Sequence, residues 1–265
     1  MKLRDKSVLI TGASRGIGAE IARQAAARGS RVGLLARNAA DLDRVRGELG
    51  GRSVAAAADV LDPEQVRVAV DAVSESLGPV DVVVANAGVG LYGSFLDADV
   101  DDLDRVLRTN YLGVVHVLKA VLPGMAERRR GHVVIMGSIA GRIGAPFEAG
   151  YSASKFAVAG LGETLSIELA PLNIAVSVVV PGPVSTSFFE ARGHPYDRAR
   201  PKPESPAKVA KAALDAVERN RAEAFVSSFM RQAVIAKTLV PPLYRWGAAR
   251  ALATELAAVR ESGKA

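Results

Sequence analysis

The chain has 265 residues, of which 49% are hydrophobic, so it is long and apolar enough to bury the core of one large domain. It contains no cysteine, which excludes disulfides, thiolate metal sites and cysteine nucleophiles. The formal charge of +6 comes from 34 basic and 28 acidic residues spread along the chain, and it favours an anionic ligand weakly and nucleic acid hardly at all. The histidines His116, His132 and His194 are far apart in sequence, so no metal site is expected.

The first residues pass from a charged start directly into an apolar run, a pattern that does not resemble a secretory signal. No window approaches the roughly 20 uninterrupted apolar residues that a membrane-spanning helix needs. We therefore expect a cytoplasmic protein.

Short apolar runs alternate with stretches of helical spacing along most of the chain. The runs are continuous, as is typical of parallel strands covered on both faces. The predicted strands are 7–11, 32–36, 54–58, 80–85, 132–136, 174–180 and, more weakly, 224–227. The predicted helices are 17–28, 39–49, 64–77, 103–125, 151–170 and 206–219. This order predicts a single α/β domain with a doubly wound parallel sheet of about seven strands.

Glycine and proline positions support these boundaries. Gly29, Gly78 and Gly131 fall where helices should end, and Pro63 falls where one should begin.

Two segments depart from the alternation. Residues 188–205 are rich in proline and aromatic side chains, and a long irregular loop in a compact domain is usually a functional lid or a mobile loop. Residues 229–265 carry apolar residues at helical spacing on both sides of a Pro-Pro pair. We expect a catalytic domain over residues 1–228, with a substrate loop at 188–205, and a C-terminal helical extension over 229–265 that packs on the domain or on a partner.

The first predicted strand runs into the sequence TGASRGIG at residues 11–18 and then into a helix. Glycines allow the backbone to turn tightly and lie against a pyrophosphate, whose charge is favoured by free N–H groups at a helix N-terminus. An ordinary glycine-rich turn is the alternative, but the position after the first strand favours a dinucleotide. The candidate binding residues in this loop are Gly12, Ser14, Arg15, Gly16, Ile17 and Gly18.

With these residues in place, the sequence resembles the short-chain dehydrogenase/reductase family over nearly the whole chain to about Ser228. The family's markers occur in order: TGASRGIG at 11–18, Asp59-Val60, Asn86-Ala87-Gly88, Asn110, Ser138, Tyr151 with Lys155, and Pro181-Gly182 followed by Thr186. Ala85 departs from the family's frequent asparagine, which is a common variation. The resemblance implies a Rossmann-type fold and reversible hydride transfer between a nicotinamide cofactor and a carbonyl or secondary alcohol carbon.

The resemblance also implies roles in cofactor binding. Asp59 is similar to the carboxylate that accepts a hydrogen bond from the adenine amino group, and capping of the next helix is its alternative role. Asn86 and Gly88 lie where the cofactor ribose is expected. Val184 and Thr186 resemble the residues that hold the carboxamide and a nearby phosphate. The remaining cofactor candidates are Val60, Ala87, Pro181 and Gly182.

The end of the second predicted strand indicates which dinucleotide is preferred. An acidic residue there would accept hydrogen bonds from the ribose hydroxyls of NAD and repel a 2′-phosphate. Ala36 occupies that position, Arg37 follows it, and Arg15 lies in the glycine loop. Two guanidiniums can clamp a phosphate, so we expect NADP(H) and consider NAD(H) the weaker alternative. The other interpretation of Arg37 is a solvated residue at the start of a helix.

Tyr151 and Lys155 lie four residues apart in a predicted helix, so their side chains share one face. A phenol with an ordinary pKa near 10 needs a nearby cation to stabilise its phenolate, and Lys155 can supply that cation. The resemblance adds that Lys155 holds the nicotinamide ribose, that Ser138 positions the substrate oxygen and that Asn110 anchors a water beside the lysine. Tyr151 would then be the acid in reduction and the base in oxidation.

The segments from which the family takes its substrate walls are mainly apolar here. Their large residues are Val89, Leu91, Tyr92, Phe95, Ile139, Ile143, Phe147, Phe188 and Phe189. Such a lining favours a hydrophobic ketone or alcohol. An acyl thioester is an alternative, because Arg192, Arg198 and Arg200 could meet its phosphates.

Two other classes of function also fit parts of the sequence. A cofactor-binding sensor or scaffold would keep the fold, but it has no need of an intact proton donor. A peripheral membrane or nucleic-acid binder is suggested by Arg231, Lys237, Arg245 and Arg250 among apolar residues of the tail. Such a tail more often packs on its own domain or on a partner subunit. We expect a homodimer or homotetramer that does not bind nucleic acid.

Overall fold

A parallel seven-stranded sheet forms the centre of the computed structural model, which describes residues 1–197, 201–251, 253 and 256. The strands are β1 (Ser7–Thr11), β2 (Arg31–Ala36), β3 (Ser53–Ala57), β4 (Val82–Ala85), β5 (Gly131–Met136), β6 (Ile174–Val180) and β7 (Glu223–Phe225). Their order in the sheet is β3-β2-β1-β4-β5-β6-β7, and each neighbouring pair is parallel. The predicted doubly wound sheet of seven strands is confirmed.

Helices cover both faces of this sheet. They are α1 (Gly16–Ala27), α2 (Ala39–Leu49), α3 (Pro63–Leu77), α4 (Val100–Leu107), α5 (Gly113–Glu127), α6 (Ala149–Glu168), α7 (Phe188–Ala191), α8 (Pro206–Arg219), α9 (Ser228–Leu239) and α10 (Pro241–Ala251). The expected C-terminal helical extension is present as α9 and α10 up to Ala251, and nearly all of the predicted extension beyond that residue lies outside the described residues.

Two apolar layers form the core, one on each face of the sheet. Val8 and Ile10 of β1 pack in the layer that contains α1, α2 and α8, and Leu9 packs in the opposite layer with α3, α5 and α6. All three side chains are fully buried. Because successive residues of a strand point to opposite faces, a sheet covered on both sides requires apolar residues without alternation.

Most predicted helix boundaries have a clear physical origin in the structure. The Asp62 side chain accepts hydrogen bonds from the N–H groups of Glu64 and Gln65 at the start of α3. Pro63, the first residue of this helix, has no N–H that would need a partner. Gly29 and Gly78 end their helices with φ of 81° and 78°.

The expectation for Gly131 was wrong. This residue begins β5, and Arg129 takes the left-handed conformation after α5 with a φ of 49°. A Cβ at Gly131 would overlap the Met125 side chain, so close packing explains this glycine.

The predicted helix 103–125 is two α-helices joined by a π-helical turn at Arg108–Leu112. Helix α4 begins earlier than expected because the Asp99 side chain accepts a hydrogen bond from the N–H of Asp101. Single π-helical turns inside longer helices are frequent at functional sites. This turn places Asn110 behind the carboxyl end of β4.

Candidate active site

A cleft of about 1320 Å³ lies beyond the carboxyl ends of the strands, where open α/β sheets bind their ligands. Its walls come from the loops that follow β1 to β6, from α7, and from the helical extension. All the predicted catalytic and cofactor residues line this cleft except Gly18 and Asn110.

The glycine loop after β1 is shaped by close contacts between main chains. Gly12 has a φ of 64°, a conformation that favours glycine. A Cβ at Gly18 would overlap the Gly12 carbonyl oxygen and would meet Asn86 Nδ2. Helix α1 begins at Gly16, and its N-cap residue Arg15 makes no side-chain capping bond. The first N–H groups of α1 are therefore available to an anion, and this loop fits the pyrophosphate of a dinucleotide.

The loop after β4 is tied to the glycine loop by hydrogen bonds. Thr11 Oγ1 accepts from the N–H groups of Asn86 and Ala87, each at 3.0 Å. Asn86 Nδ2 donates to the Thr11 carbonyl oxygen at 2.9 Å. Thr11 is 1% exposed, and the sequence analysis did not name it as a site residue. Its position as the last residue of β1, one before the first glycine, was the available signal.

Arg37 follows β2 and lines the far end of the cleft with a side chain that is 75% exposed. Its Nη1 lies 3.9 Å from Asp59 Oδ2, and an exposed pair at that distance contributes little free energy. Asp59 Oδ1 accepts from the N–H of Leu61 at 2.9 Å. Helix α3 is capped by Asp62, so the helix-capping alternative for Asp59 is excluded.

Two residues of α2 at this end were missed by the sequence analysis. Asp41 lines the cleft, and its N–H donates to Asn38 Oδ1 at 3.1 Å. Arg44 Nη2 donates to the Ser14 carbonyl oxygen at 3.1 Å and lies 3.8 Å from Asp41 Oδ1. Helix α2 therefore supports the glycine loop directly. The spacing of Asp41 and Arg44, one helical turn apart, was visible in the sequence, but their contact with the loop was not.

Tyr151 and Lys155 lie on the first turns of α6 at the other end of the cleft. Lys155 is 5% exposed, and its Nζ donates to the Met136 carbonyl oxygen at 2.9 Å. The same Nζ lies 5.7 Å from the centroid of the Tyr151 ring. Burial lowers the pKa of Lys155 to about 8.

Burial raises the pKa of Tyr151 to about 12, and a hydrogen bond with Ser138 opposes this rise. Ser138 follows β5, and its Oγ also accepts from the N–H of Ala140 at 3.1 Å. The nearby charges act in opposite directions, since Glu148 raises the pKa of Tyr151 and Arg192 lowers it. The side chains of the three predicted residues Ser138, Tyr151 and Lys155 therefore lie close together.

Asn110 lies behind this group, and its side chain is fully buried. Its Oδ1 accepts from the N–H of Val89 at 2.8 Å, and its Nδ2 donates to the Val89 carbonyl oxygen and to Ser154 Oγ, both at 2.9 Å. A Cβ on Gly88 would lie 3.0 Å from Asn110 Oδ1 and 3.7 Å from Lys155 Nζ. The Asn110 side chain thus fixes the segment after β4 next to Lys155.

The segment after β6 folds over the cleft next to Tyr151. The rings of Tyr151 and Phe188 are 5.5 Å apart, and those of Phe188 and Phe189 are 6.0 Å apart. Phe189 then meets Tyr196 at 5.1 Å, and the Tyr196 hydroxyl donates to the Pro201 carbonyl oxygen at 2.8 Å. The segment that the sequence predicted to be irregular therefore begins with a short helix, and a row of aromatic contacts connects the helix to Tyr151 and Tyr196.

Arg192 was considered as a partner for the phosphates of an acyl thioester, and the structure contradicts this interpretation because the side chain is buried and paired. Its side chain is 3% exposed, and its Nη1 lies 2.6 Å from Glu148 Oε1. Its guanidinium carbon lies 4.7 Å from the ring centroids of both Tyr92 and Phe189. This buried group joins the loop to the start of α6. Arg198 and Arg200 lie outside the described residues.

Only some of the expected substrate walls border the cleft. Its apolar lining near Tyr151 includes Val89, Ile139, Ile143, Phe188 and Phe189. The other four expected wall residues line a separate cavity of about 380 Å³, and these are Leu91, Tyr92, Phe95 and Phe147. The helical extension supplies three cleft residues that the sequence analysis did not name, and these are Met230, Tyr244 and Ala248.

Within the described part of the chain, no three histidine, aspartate or glutamate side chains come together to hold a metal ion. None of the helices in that part is both long enough and apolar enough to cross a bilayer.

Comparison with known proteins identifies the family. Residues 6–197 match the model of the short chain dehydrogenase family. The chain is 35% identical over 257 residues to mouse dehydrogenase/reductase SDR family member 7B, and the match covers 91% of this chain and 80% of the relative. The protein belongs to the short-chain dehydrogenase/reductase family, whose members are oxidoreductases acting on CH–OH and C=O groups.

Solved structures agree with this assignment. A short-chain dehydrogenase/reductase from Burkholderia phymatum in complex with NAD superposes with a TM-score of 0.83 at 26% identity, and the match covers 92% of this chain and 96% of the other. An alcohol dehydrogenase from Thermococcus sibiricus complexed with 5-hydroxy-NADP gives a TM-score of 0.72 at 31% identity over 80% of this chain and 90% of the other. The family thus includes structural relatives with either dinucleotide.

Proposed function

We propose that this protein is an NADP(H)-dependent oxidoreductase that reversibly reduces the carbonyl group of a hydrophobic substrate to a secondary alcohol. One observation carries the proposal: a single cleft joins the glycine loop to Ser138, Tyr151 and Lys155 and is closed by apolar side chains at that end. The arrangement brings a dinucleotide site and a proton donor to the same substrate position.

The bound nicotinamide would supply the hydride, and the protein would supply the proton and the geometry. Tyr151 donates its hydroxyl proton to the carbonyl oxygen, because its raised pKa keeps it protonated at neutral pH. Lys155 stabilises the phenolate that forms, since its ammonium lies beside the ring. Ser138 holds the substrate oxygen within reach of Tyr151. Asn110 is a positioning residue, because its side-chain amide already bonds to Val89 and Ser154. A water next to Lys155 would have to be held by the main chain of Asn110 or by the remaining lone pair of Asn110 Oδ1.

The preference for NADP(H) rests on Arg15 and Arg37, which line the end of the cleft near Ala36. An exposed guanidinium with only a weak partner remains available for the charge-assisted hydrogen bonds of a 2′-phosphate. Two carboxylates border the same end, but Asp59 accepts a main-chain hydrogen bond and Asp41 faces Arg44.

Titration of cofactor fluorescence with NADPH and NADH tests this preference. We expect NADPH to bind more tightly, and Arg37→Ala to weaken NADPH binding roughly 10-fold or more, as expected for hydrogen bonds to a charged group, while NADH binding changes little. Arg46→Ala is the matched control, because Arg46 is an exposed arginine of α2 that pairs with Asp43 outside the cleft. Tighter NADH binding that Arg37→Ala leaves unchanged would contradict the assignment.

The apolar lining favours hydrophobic ketones and alcohols over free sugars. A panel of aliphatic and aromatic ketones, with sugars as polar controls, is tested by following NADPH oxidation. Tight NADPH binding without turnover of any ketone would support the sensor or scaffold alternative. We further propose that the protein acts in the cytoplasm as a homodimer or homotetramer, which light scattering of the purified chain would test.

A further inference from the structure

Helices α9 and α10 have an outer surface with several large apolar side chains. On α9, Phe229, Ile235 and Leu239 are 60%, 47% and 73% exposed. On α10, Leu243 and Trp246 are 61% and 62% exposed. Single exposed apolar residues are common on any protein, but five within 18 residues form a concentration that calls for a partner.

The inner faces of the same helices are already packed on the domain. Met230 is 7% exposed, and its Cε lies 3.0 Å from the position of a Cβ on Gly182. Lys237 Nζ donates to the Arg142 carbonyl oxygen at 2.7 Å, and Tyr244 lines the cleft. The exposed residues therefore lie on the opposite side from the contacts with the domain. This outer surface, which we call the tail surface, borders the cleft but is not part of its lining.

The charged side chains of the segment that forms the tail surface have one sign. Residues 224–254 contain four basic residues and no acidic residue. Arg231, Arg245 and Arg250 are exposed, and the Arg250 guanidinium lies 5.6 Å from the Trp246 ring centroid. Tryptophan and arginine next to aliphatic side chains are typical of helices that lie in the headgroup region of a bilayer.

A second copy of this chain is a weaker candidate for the same surface. A twofold interface places the same patch on both subunits, so both sides of it would carry positive charge with no carboxylate of residues 224–254 to offset it. An anionic lipid surface would neutralise these arginines and also bury the apolar side chains.

We propose that the tail surface docks on a bilayer that contains anionic lipids, with the mouth of the cleft beside the headgroups. The helices lie on the membrane and do not cross it. This docking does not depend on which substrate or which dinucleotide the enzyme uses.

Sedimentation of the full-length protein with vesicles tests the proposal. Vesicles of phosphatidylcholine mixed with phosphatidylglycerol should retain the protein, and vesicles of phosphatidylcholine alone should retain much less. Arg245→Gln with Arg250→Gln should weaken partitioning about 5-fold for each arginine removed. Leu243→Ala with Trp246→Ala should weaken it on the order of 10-fold or more through lost apolar burial. High salt should weaken binding as well, because it shortens the range of the electrostatic attraction.

Ile167→Ala is the matched control, because Ile167 is 73% exposed on α6, outside the tail surface, and should leave vesicle binding unchanged. Thermal unfolding and NADPH titration of each variant separate a local loss of docking from a loss of fold. The proposal would be overturned if the protein did not bind anionic vesicles. It would also be overturned if Ile167→Ala lost as much vesicle binding as the variants of the tail surface. A change of oligomeric mass in the Leu243→Ala, Trp246→Ala variant without vesicle binding would also overturn it and would assign the surface to contacts between copies.

Discussion

The two ends of the cleft are built in different ways. At the dinucleotide end, the shape comes from main chains in close contact, fixed by Gly12, Gly18 and the hydrogen bonds between Thr11 and Asn86. At the end that carries Tyr151, the closing segment is held by aromatic rings and by one buried ion pair.

This difference teaches where specificity can change. A site made from backbone tolerates few substitutions, because its glycines are required by a close main-chain contact, by a positive φ, or by both. A site closed by side chains can change its shape by substitution while the strands beneath it remain the same. The residues that indicate the reaction of the family therefore lie at the dinucleotide end and at Tyr151. The choice of substrate depends on the side chains that close the end with Tyr151.

Removal of the proposed proton donor should have the largest effect. Tyr151→Phe should lower turnover at least 100-fold, within the usual contribution of a positioned acid or base, because only the transferable proton is lost. NADPH affinity should stay within a few-fold of wild type, since the dinucleotide end is untouched. Steady-state kinetics on a substrate found in the ketone panel, together with NADPH titration, measures both. Wild-type turnover in this variant would show that another group donates the proton.

Breaking the buried ion pair should have the next largest effect. Arg192→Met leaves Glu148 without its partner next to Tyr151 and should destabilise the protein by about 3 kcal/mol, whereas adding Glu148→Gln should recover part of this loss. Hydrogen exchange in residues 188–197 should be faster in Arg192→Met than in the wild type. In the wild type, NADPH together with a substrate analogue should slow exchange in the same residues.

The exposed pair of Arg23 with Glu48 provides the control, and Arg23→Met should cost at most about 1 kcal/mol. Equal destabilisation by the two arginine variants would mean that the loop is not held by the buried pair. If ligand binding leaves exchange in residues 188–197 unchanged, this segment is a structural part that does not respond to ligands.

A pair of glycine substitutions tests the rigidity of the dinucleotide end. Gly18→Ala should cost about 1–3 kcal/mol of stability and abolish tight NADPH binding, because the new methyl group overlaps the Gly12 carbonyl oxygen. Gly47→Ala in α2 meets no atom within 4 Å and should stabilise the protein by up to about 1 kcal/mol. Thermal unfolding and cofactor titration compare them, and similar behaviour of the two variants would refute the close-packing argument.

The smallest expected effect is a change in the rate of carbonyl reduction with pH. With a pKa of about 8, Lys155 is an ammonium below that pH and loses its charge above it. The phenolate of Tyr151 then loses its stabilising cation, so the rate of carbonyl reduction should fall as the pH rises through about 8. Lys155→Arg retains its charge in this range, and its residual rate should not show that fall. A wild-type rate that stays constant up to pH 10 would rule out this role for Lys155.

The sequence alone was sufficient to predict the sheet, five of the helices with small shifts, and the positions of the glycine loop and of Tyr151. A sheet covered on both faces demands continuous apolar strands, and the tight turn at Gly12 demands glycine, so these features are local and leave a clear pattern. The long predicted helix was wrong at its centre, because a π-helical turn at Arg108–Leu112 has no apolar periodicity of its own.

Only the tertiary structure decided which residues face the substrate. Tyr92 and Phe147 are aromatic like Phe188, but they line a second cavity because the loops that carry them pack against one another. The burial of Arg192 depends on Glu148, which is 44 positions away in the chain, and on two rings from different loops. Contacts between distant segments leave no periodic signal, so the sequence determined the fold and the position of Tyr151, and packing between loops determined the shape of the cleft around it.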